Sequence, residues 1–220
     1  MKKGILILLL MVISAVGFTQ IKVGVKGGLN VSSYFFDPDP ENNDIKALAS
    51  FHLGGFLNYE VAENISIQAE LLYSGEGGRL VGTGTDDTGL LDPGEVDTEL
   101  RDKYSWLALP VLAKYSLSSG LTFEAGFAFN FLLSAETSFA VSDDNLEVAL
   151  ISDFNDSVKG LDTRFAIGAG YELASGLSFN GRYSFSLGNI YTQEYTDENN
   201  GLEGGLGVFQ LSVGFPIYAK

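Results

Sequence analysis

From Ile21 onward, apolar residues recur at every second position in runs of about ten, the period of a strand with one apolar face. Ile21, Val23, Val25, Leu29 and Val31 alternate with Lys22, Gly24, Lys26, Gly28 and Asn30. Phe51, Leu53, Leu57, Tyr59 and Val61 alternate with His52, Gly54, Asn58 and Glu60, and Ile65, Ile67, Ala69, Leu71 and Tyr73 with Ser66, Gln68, Glu70 and Ser74. A fourth run covers Leu107 to Tyr115, and a fifth, Leu121 to Leu133, carries Phe123, Phe127, Phe129 and Phe131 on one face. Three more lie around Phe165 to Leu173, Leu177 to Leu187 and Phe209 to Ile217. Strands of this length span a bilayer when tilted.

The connections alternate between short and long. Ala62-Glu63-Asn64, Ser118-Ser119-Gly120 and Ala174-Ser175-Gly176 each end in a residue that tolerates left-handed backbone, as a three-residue hairpin loop requires. Four long polar connections stand between them, at 32–50, 75–103, 135–160 and 189–206. The pattern predicts an all-β fold, an eight-stranded antiparallel up-and-down transmembrane barrel. Its short turns are periplasmic, its four long acidic loops extracellular, and both termini lie at the periplasmic rim. Tyr59, Tyr115 and Tyr171 each stand on the apolar face just before a short turn, at a constant spacing of 56 residues. With Phe123 and Phe179 they form the expected aromatic girdle, rings in lipid and hydroxyls among headgroups.

The first 20 residues read differently. Lys2 and Lys3 precede an apolar core from Gly4 to Val16, and the small residues Gly17 and Thr19 precede Gln20. That run is shorter than the roughly 20 residues of a spanning helix, so 1–20 is expected to be a cleaved signal peptide and 21–220 the barrel domain. The 220 residues contain no cysteine, which removes disulfides, thiolate metal sites and a lipid-anchored N-terminus.

Charge sharpens the picture. The net charge is −15, and the four long connections hold 22 of the 28 acids but five of the 13 bases. The polar strand face carries Lys22, Lys26, Lys114, Arg164 and Arg182 against Glu60, Glu70, Glu124, Asp162 and Glu172, an equal number of each sign. Charges in a narrow lumen need partners, because burial without them is costly. If Leu117 faces Leu121 across the second turn, Lys114 faces Glu124, and the same arithmetic sets Arg182 opposite Gly168. Opposite charges across a ladder attract, and an eight-stranded barrel is just wide enough for side chains to fill. The expectation is a plugged polar core without an open pore. A soluble barrel would put its apolar face inward, but here the bulky phenylalanines share one face while glycines share the other with the charges.

Several segments stand out in order: Gly24-Val25-Lys26-Gly27-Gly28-Leu29-Asn30, Phe51-His52-Leu53-Gly54, Gln68-Ala69-Glu70-Leu71-Leu72-Tyr73-Ser74 and Leu109-Pro110-Val111-Leu112-Ala113-Lys114-Tyr115, followed by Gly168-Ala169-Gly170-Tyr171, Arg182-Tyr183 with Asn189-Ile190, and Phe209-Gln210-Leu211. Together they resemble the PorT-like outer-membrane β-barrel family of Gram-negative bacteria. Their order and spacing, rather than any one of them, carry the likeness. The resemblance implies an eight-stranded barrel in the outer membrane and, through the namesake, a link to protein secretion. Such barrels often end on an aromatic; here Pro216 to Lys220 extend past Phe215, leaving Tyr218 for that role.

Candidate chemistry is sparse. His52, the only histidine, faces the lumen, and as a base it would need a serine or an acid beside it. Asp37, Asp39, Glu41 and Asp44 alternate like a calcium loop but lack its glycine and terminal glutamate. Gly75-Glu76-Gly77-Gly78 and Gly204-Gly205-Leu206-Gly207 lack the strand–helix context of a phosphate loop and read as flexible loop. No basic patch suggests nucleic acid. The expected protein is therefore integral to the outer membrane and non-enzymatic, with no cofactor or metal. Its partners are membrane lipid, lipopolysaccharide and envelope or secretion proteins met through the outer loops. A small-solute channel and a barrel hydrolase using His52 are the alternatives.

Overall fold

The computed structural model describes residues 21–37, 44–85, 95–143, 146–198 and 201–219. The expected signal segment, and Asp39 and Glu41 of the calcium-like run, lie outside them. The strands are β1 (Ile21–Asp37), β2 (Asp44–Ala62), β3 (Ile65–Thr85), β4 (Glu95–Ser116), β5 (Leu121–Asp143), β6 (Leu146–Asp153), β7 (Leu161–Glu172), β8 (Ser178–Ser186) and β9 (Glu203–Ala219). A 3-10 turn at Asn155–Ser157 and a short helix, α1 (Gln193–Glu198), complete the described elements. Pairing runs β1-β2-β3-β4-β5-β7-β8-β9, all antiparallel, and β9 returns to β1. Eight strands thus close into an up-and-down ring without a free edge. The ninth, β6, pairs with the distal part of β5 and stays outside the ring.

The apolar face points outward. Leu29, Leu53, Leu211 and Phe127 are among many large apolar side chains left exposed around the ring, while Lys26, Glu70 and Arg182 are buried inside it. The turns explain the register. Leu117 and Leu121 bond across Ser118–Gly120, and Leu173 and Leu177 across Ala174–Gly176. Gly120 and Gly176 close these loops at φ +91° and +85°. The first turn differs from expectation: Ala62 pairs directly with Ile65, so only Glu63 and Asn64 form it, and Val61 is left over as a bulge. At the opposite end of the chain a second bulge separates the Val23–Tyr218 pair from the Gly24–Pro216 pair, and Tyr218 is exposed.

The long connections are largely not loops. The β3–β4 ladder continues from Gly75–Ser105 to Thr85–Glu95, and the β4–β5 ladder reaches Asp97–Ser142. Pairing satisfies backbone groups wherever the chain goes, and outside the bilayer it needs no apolar outer face, so the alternation that marks a membrane strand fades while the strand does not. Beyond Leu107 the outward positions of β4 become Ser105, Lys103 and Arg101, and the inward ones Trp106, Tyr104 and Asp102. The buried apolar cluster lies there: Tyr34, Tyr104, Trp106, Ala135, Val158, Ile190, Tyr191, Leu206 and Val208.

Pro110 interrupts one ladder. It pairs with Ala128 of β5, but between Ala69–Val111 and Leu72–Ala108 the β3–β4 register has no pairs. The missing amide donor accounts for the gap.

Candidate functional site in the barrel interior

Three groups of charged side chains occupy the lumen at successive heights. At the short-turn rim, Lys22 of β1 stands 3.1 Å from Glu172 of β7 and 3.3 Å from Glu60 of β2. All three are about a third exposed there.

The middle group is sealed. Arg182 of β8 donates twice to Glu70 of β3, Nη1 to Oε2 and Nη2 to Oε1, each at 2.8 Å, and through Nε to Glu124 Oε1 of β5 at 2.7 Å. Lys26 of β1 donates to Glu70 Oε1 at 3.0 Å. A forked guanidinium on a carboxylate is among the strongest pairings available to a protein. Gly168 of β7 lies in register with both Glu124 and Arg182. A Cβ there would stand 3.0 Å from Glu124 Oε1 and 2.7 Å from the Gly181 carbonyl, so the glycine is what lets side chains two strands apart meet. Lys114 does lie opposite Glu124 in register, yet its ammonium donates to Gln68 Oε1 at 3.0 Å instead. Arg182 holds Glu124 from the other side, and Gln68 passes the link on by donating to Glu70 at 2.6 Å.

The upper group centres on Arg164 of β7. Its Nε donates to Asp162 Oδ2 at 2.5 Å, its Nη1 lies 2.6 Å from Glu76 Oε2, and its guanidinium carbon stands 5.7 Å from the Trp106 ring centroid. Glu76 corrects two expectations. It belongs to the lumen, not to a flexible glycine loop, and it makes the acids of these three groups six against five bases. The signal was present: Gln68, Glu70, Leu72, Ser74 and Glu76 keep one parity along β3, and all five are buried.

His52 lies between the middle and upper groups and is 1% exposed. Its Nδ1 is 2.7 Å from Asn30 Oδ1 and its Nε2 is 2.9 Å from Ser212 Oγ. Gly28 is in register with both His52 and Ser212, and a Cβ on it would collide with the Leu211 carbonyl. The sequence shows neither partner: Ser212 is reached only across the β1–β9 seam, and Asn30 lies across a β1–β2 ladder whose long connection fixes no register. Gln210 also donates to Asn30 Oδ1, at 3.2 Å, and Asn30 donates to Ser74 Oγ at 3.0 Å. A void of about 10 Å³, lined by Glu76, Arg164, Arg182 and Gln210 among others, lies between the two arginines. At most one water molecule fits such a volume.

Above the charges, the aromatic cluster covers the lumen. Tyr34 donates to Asp102 Oδ2 at 2.8 Å and Thr137 donates to Asp102 Oδ1 at 2.5 Å. Burial raises the Asp102 carboxyl above its ordinary range, and those two donors oppose the shift. Tyr191 and Tyr195, from the segment around α1, stack at 4.8 Å, and burial raises the Tyr191 phenol further than any nearby charge does.

The girdle residues take outward positions by the short-turn rim. Tyr115 pairs with Phe123 and Tyr171 with Phe179, all four exposed, while Tyr59 sits half-buried opposite Ile21 and Ile67. Among the described residues no group of three or more histidines, aspartates or glutamates is placed to hold a metal ion.

Residues 18–192 match a family model described as the outer membrane protein beta-barrel domain. The chain belongs to this family. It is thus an outer-membrane β-barrel protein, and its exposed apolar belt faces lipid. Similar solved structures include Ail, the attachment invasion locus protein of Yersinia pestis, in complex with sucrose octasulfate, at 8% identity and TM-score 0.43 over 91% of this chain and 100% of that one. Neisserial surface protein A aligns at 9% identity and TM-score 0.39, over 88% and 96% of the two chains. OprG of Pseudomonas aeruginosa aligns at 13% identity and TM-score 0.39, over 91% and 96%. No curated protein matches this outer-membrane barrel in sequence.

Proposed function

We propose that this outer-membrane barrel is a sealed, non-enzymatic scaffold that holds its extended extracellular strands and acidic connections toward envelope or surface partners. We place it in the PorT-like branch of its family, with a role beside protein-secretion machinery. The observation carrying the sealed reading is the filled lumen: Lys26, Glu70, Glu124 and Arg182 are each no more than 4% exposed and bonded to one another across the bore. A solute moving through would have to separate those pairs, and stripping one partner from a buried pair costs about 3–5 kcal/mol. Purified protein in planar bilayers is expected to give no stable conductance steps; steps of reproducible size would overturn the reading. The secretion role is tested by cross-linking in native membranes, with recovery of secretion-apparatus subunits as the expected result.

One observation favours a second reading. Ser212, His52 and Asn30 are linked in the order nucleophile, base, orienter. Ser212 is only 5% exposed and Asn30 is fully buried, which favours a structural relay. A fluorophosphonate probe is expected to leave the protein unlabelled; labelling that disappears in Ser212→Ala would establish a hydrolase.

A further inference from the structure

In a chain so acidic, the positions of the outer bases carry information. The long connections contain five bases in all: Lys46, Arg79, Arg101, Lys103 and Lys159. Four of the five meet on one patch of the outer wall. Lys46 of β2 is in register with Arg79 of β3, and Arg79 with Arg101 of β4. Lys103 lies two residues nearer the membrane on β4, opposite Gly77 and Glu136. Lys46 and Lys103 are exposed and both arginines partly so.

Like charges set directly opposite across a ladder repel, and the protein neutralises these only in part. Glu99 serves both arginines, at 2.7 Å from Arg101 Nη2 and 3.7 Å from Arg79 Nη1. Arg79 Nε is buried without a hydrogen-bond partner among the described residues. Lys46 and Lys103 make no ion pair among the described residues, although Glu136 is opposite Lys103. The acids Asp44 and Glu99 stand one row further from the bilayer, both in register with Val81. Lys46, Arg79 and Arg101 therefore lie on the membrane side of Asp44 and Glu99, while Lys103 is level with Glu136.

Their height identifies the ligand chemistry. Leu107 is the last apolar outward residue of β4, and Lys103 follows four residues later. At about 3.4 Å per residue and a tilt of about 40°, that is about 10 Å above Leu107, in the headgroup layer of the outer leaflet. We infer that Lys46, Arg79, Arg101 and Lys103 form a binding site for the phosphate of an outer-leaflet glycolipid, its acyl chains lying on the apolar wall below Tyr73 and Leu107. Arg101 keeps Nε and Nη2 on Glu99 Oε1 at 3.1 and 2.7 Å, so its Nη1, the Arg79 guanidinium and the two ammonium groups supply the charge that meets phosphate.

The test uses the full-length barrel in detergent, with lipid A, the phosphorylated glucosamine lipid, as probe and native mass spectrometry as readout. The expected result is retained lipid A on the unaltered protein and at least tenfold weaker retention in the Arg79→Gln/Arg101→Gln variant. Lys159→Gln, which lies outside the patch, should retain lipid A like the parent. Dephosphorylated lipid A should bind the parent no better than the double variant does. Equal retention by parent and double variant would overturn the inference. So would full displacement of lipid A by millimolar inorganic phosphate, which would make this a free-phosphate site. Heat-modifiable gel mobility, unchanged in the variant, separates lost binding from lost folding.

Discussion

The two halves of the interior solve opposite problems with the same strands. Within the lipid belt the wall is apolar outside, and the bore is filled by Lys26, Glu70, Glu124 and Arg182. Above the belt, β4 presents Lys103 and Arg101 outward and Trp106 and Tyr104 inward, and β9 turns Leu206 and Val208 inward where Gln210 and Ser212 stood further down. One continuous sheet thus changes which face is apolar when its surroundings change from hydrocarbon to water. The lower half has its apolar contacts outside, so its bore can be polar provided each charge finds a counter-charge or, as Lys114 does in Gln68, a hydrogen-bond acceptor. The upper half has water outside and needs an apolar core, as any soluble domain does. The crossover lies at Ser105–Trp106, where the β4–β5 register shifts by a bulge. Bulges re-aim side chains at such places.

If the comparison holds, changes in the lower half should affect the whole barrel, and changes in the upper half only its cap. The largest effect is expected from Arg182→Ala, which leaves Glu70 and Glu124 short of their main partner. A loss of about 3–5 kcal/mol is expected, read from urea unfolding in detergent micelles; a loss below 1 kcal/mol would mean the network is wet. Next comes Gly168→Val, whose side chain must enter the space of Glu124 and the Gly181 carbonyl. Overpacking of this kind costs about 1–3 kcal/mol, and the same assay checks it. Tyr104→Phe removes the hydroxyl that stands 2.9 Å from that of Tyr34. It should cost about 1 kcal/mol, seen as faster proteolysis of the extracellular segments with unchanged heat-modifiable mobility.

The smallest effect follows pH. Tyr191 has a folded pKa raised above its unfolded value of about 10. Its contribution is therefore fully present below pH ~10 and is lost as pH rises toward the folded value. The cap should loosen in alkali before the barrel opens, measured as tyrosinate absorbance rising together with cleavage near α1. Simultaneous loss of cap and barrel would contradict the separation of the two halves.

Much of the lower half was legible because short turns fix register and period two fixes facing. Gly168 opposite Arg182, and Lys114 opposite Glu124, follow from counting outward from Ser118–Gly120 and Ala174–Gly176. Counting within neighbouring strands could not show that Arg182 reaches over Gly168 to take Glu124, since that contact skips a strand. Ser212 was hidden from His52 for a related reason: it lies 160 positions away, across the seam. The upper half was harder to read because the polarity of both faces exchanges there. Residues such as Tyr104, Trp106 and Tyr34 keep strand parity while abandoning the expected hydropathy, so strands that continue through them resemble loops.

The β1–β9 seam has a kinetic consequence. Arg182 lies 112 positions from Glu70, and Gln210 lies 180 from Asn30, so neither contact can form while the sheet is open. Contacts this distant are slow to form. Until the seam closes, the lumen side chains line a water-filled trough and retain their hydration. Closure then dehydrates the charges and joins them in one event, so half-zipped barrels lack the interior that distinguishes the native state. Folding of this chain is therefore expected to end in a single late, highly cooperative step, with the charged core as its product and not its guide.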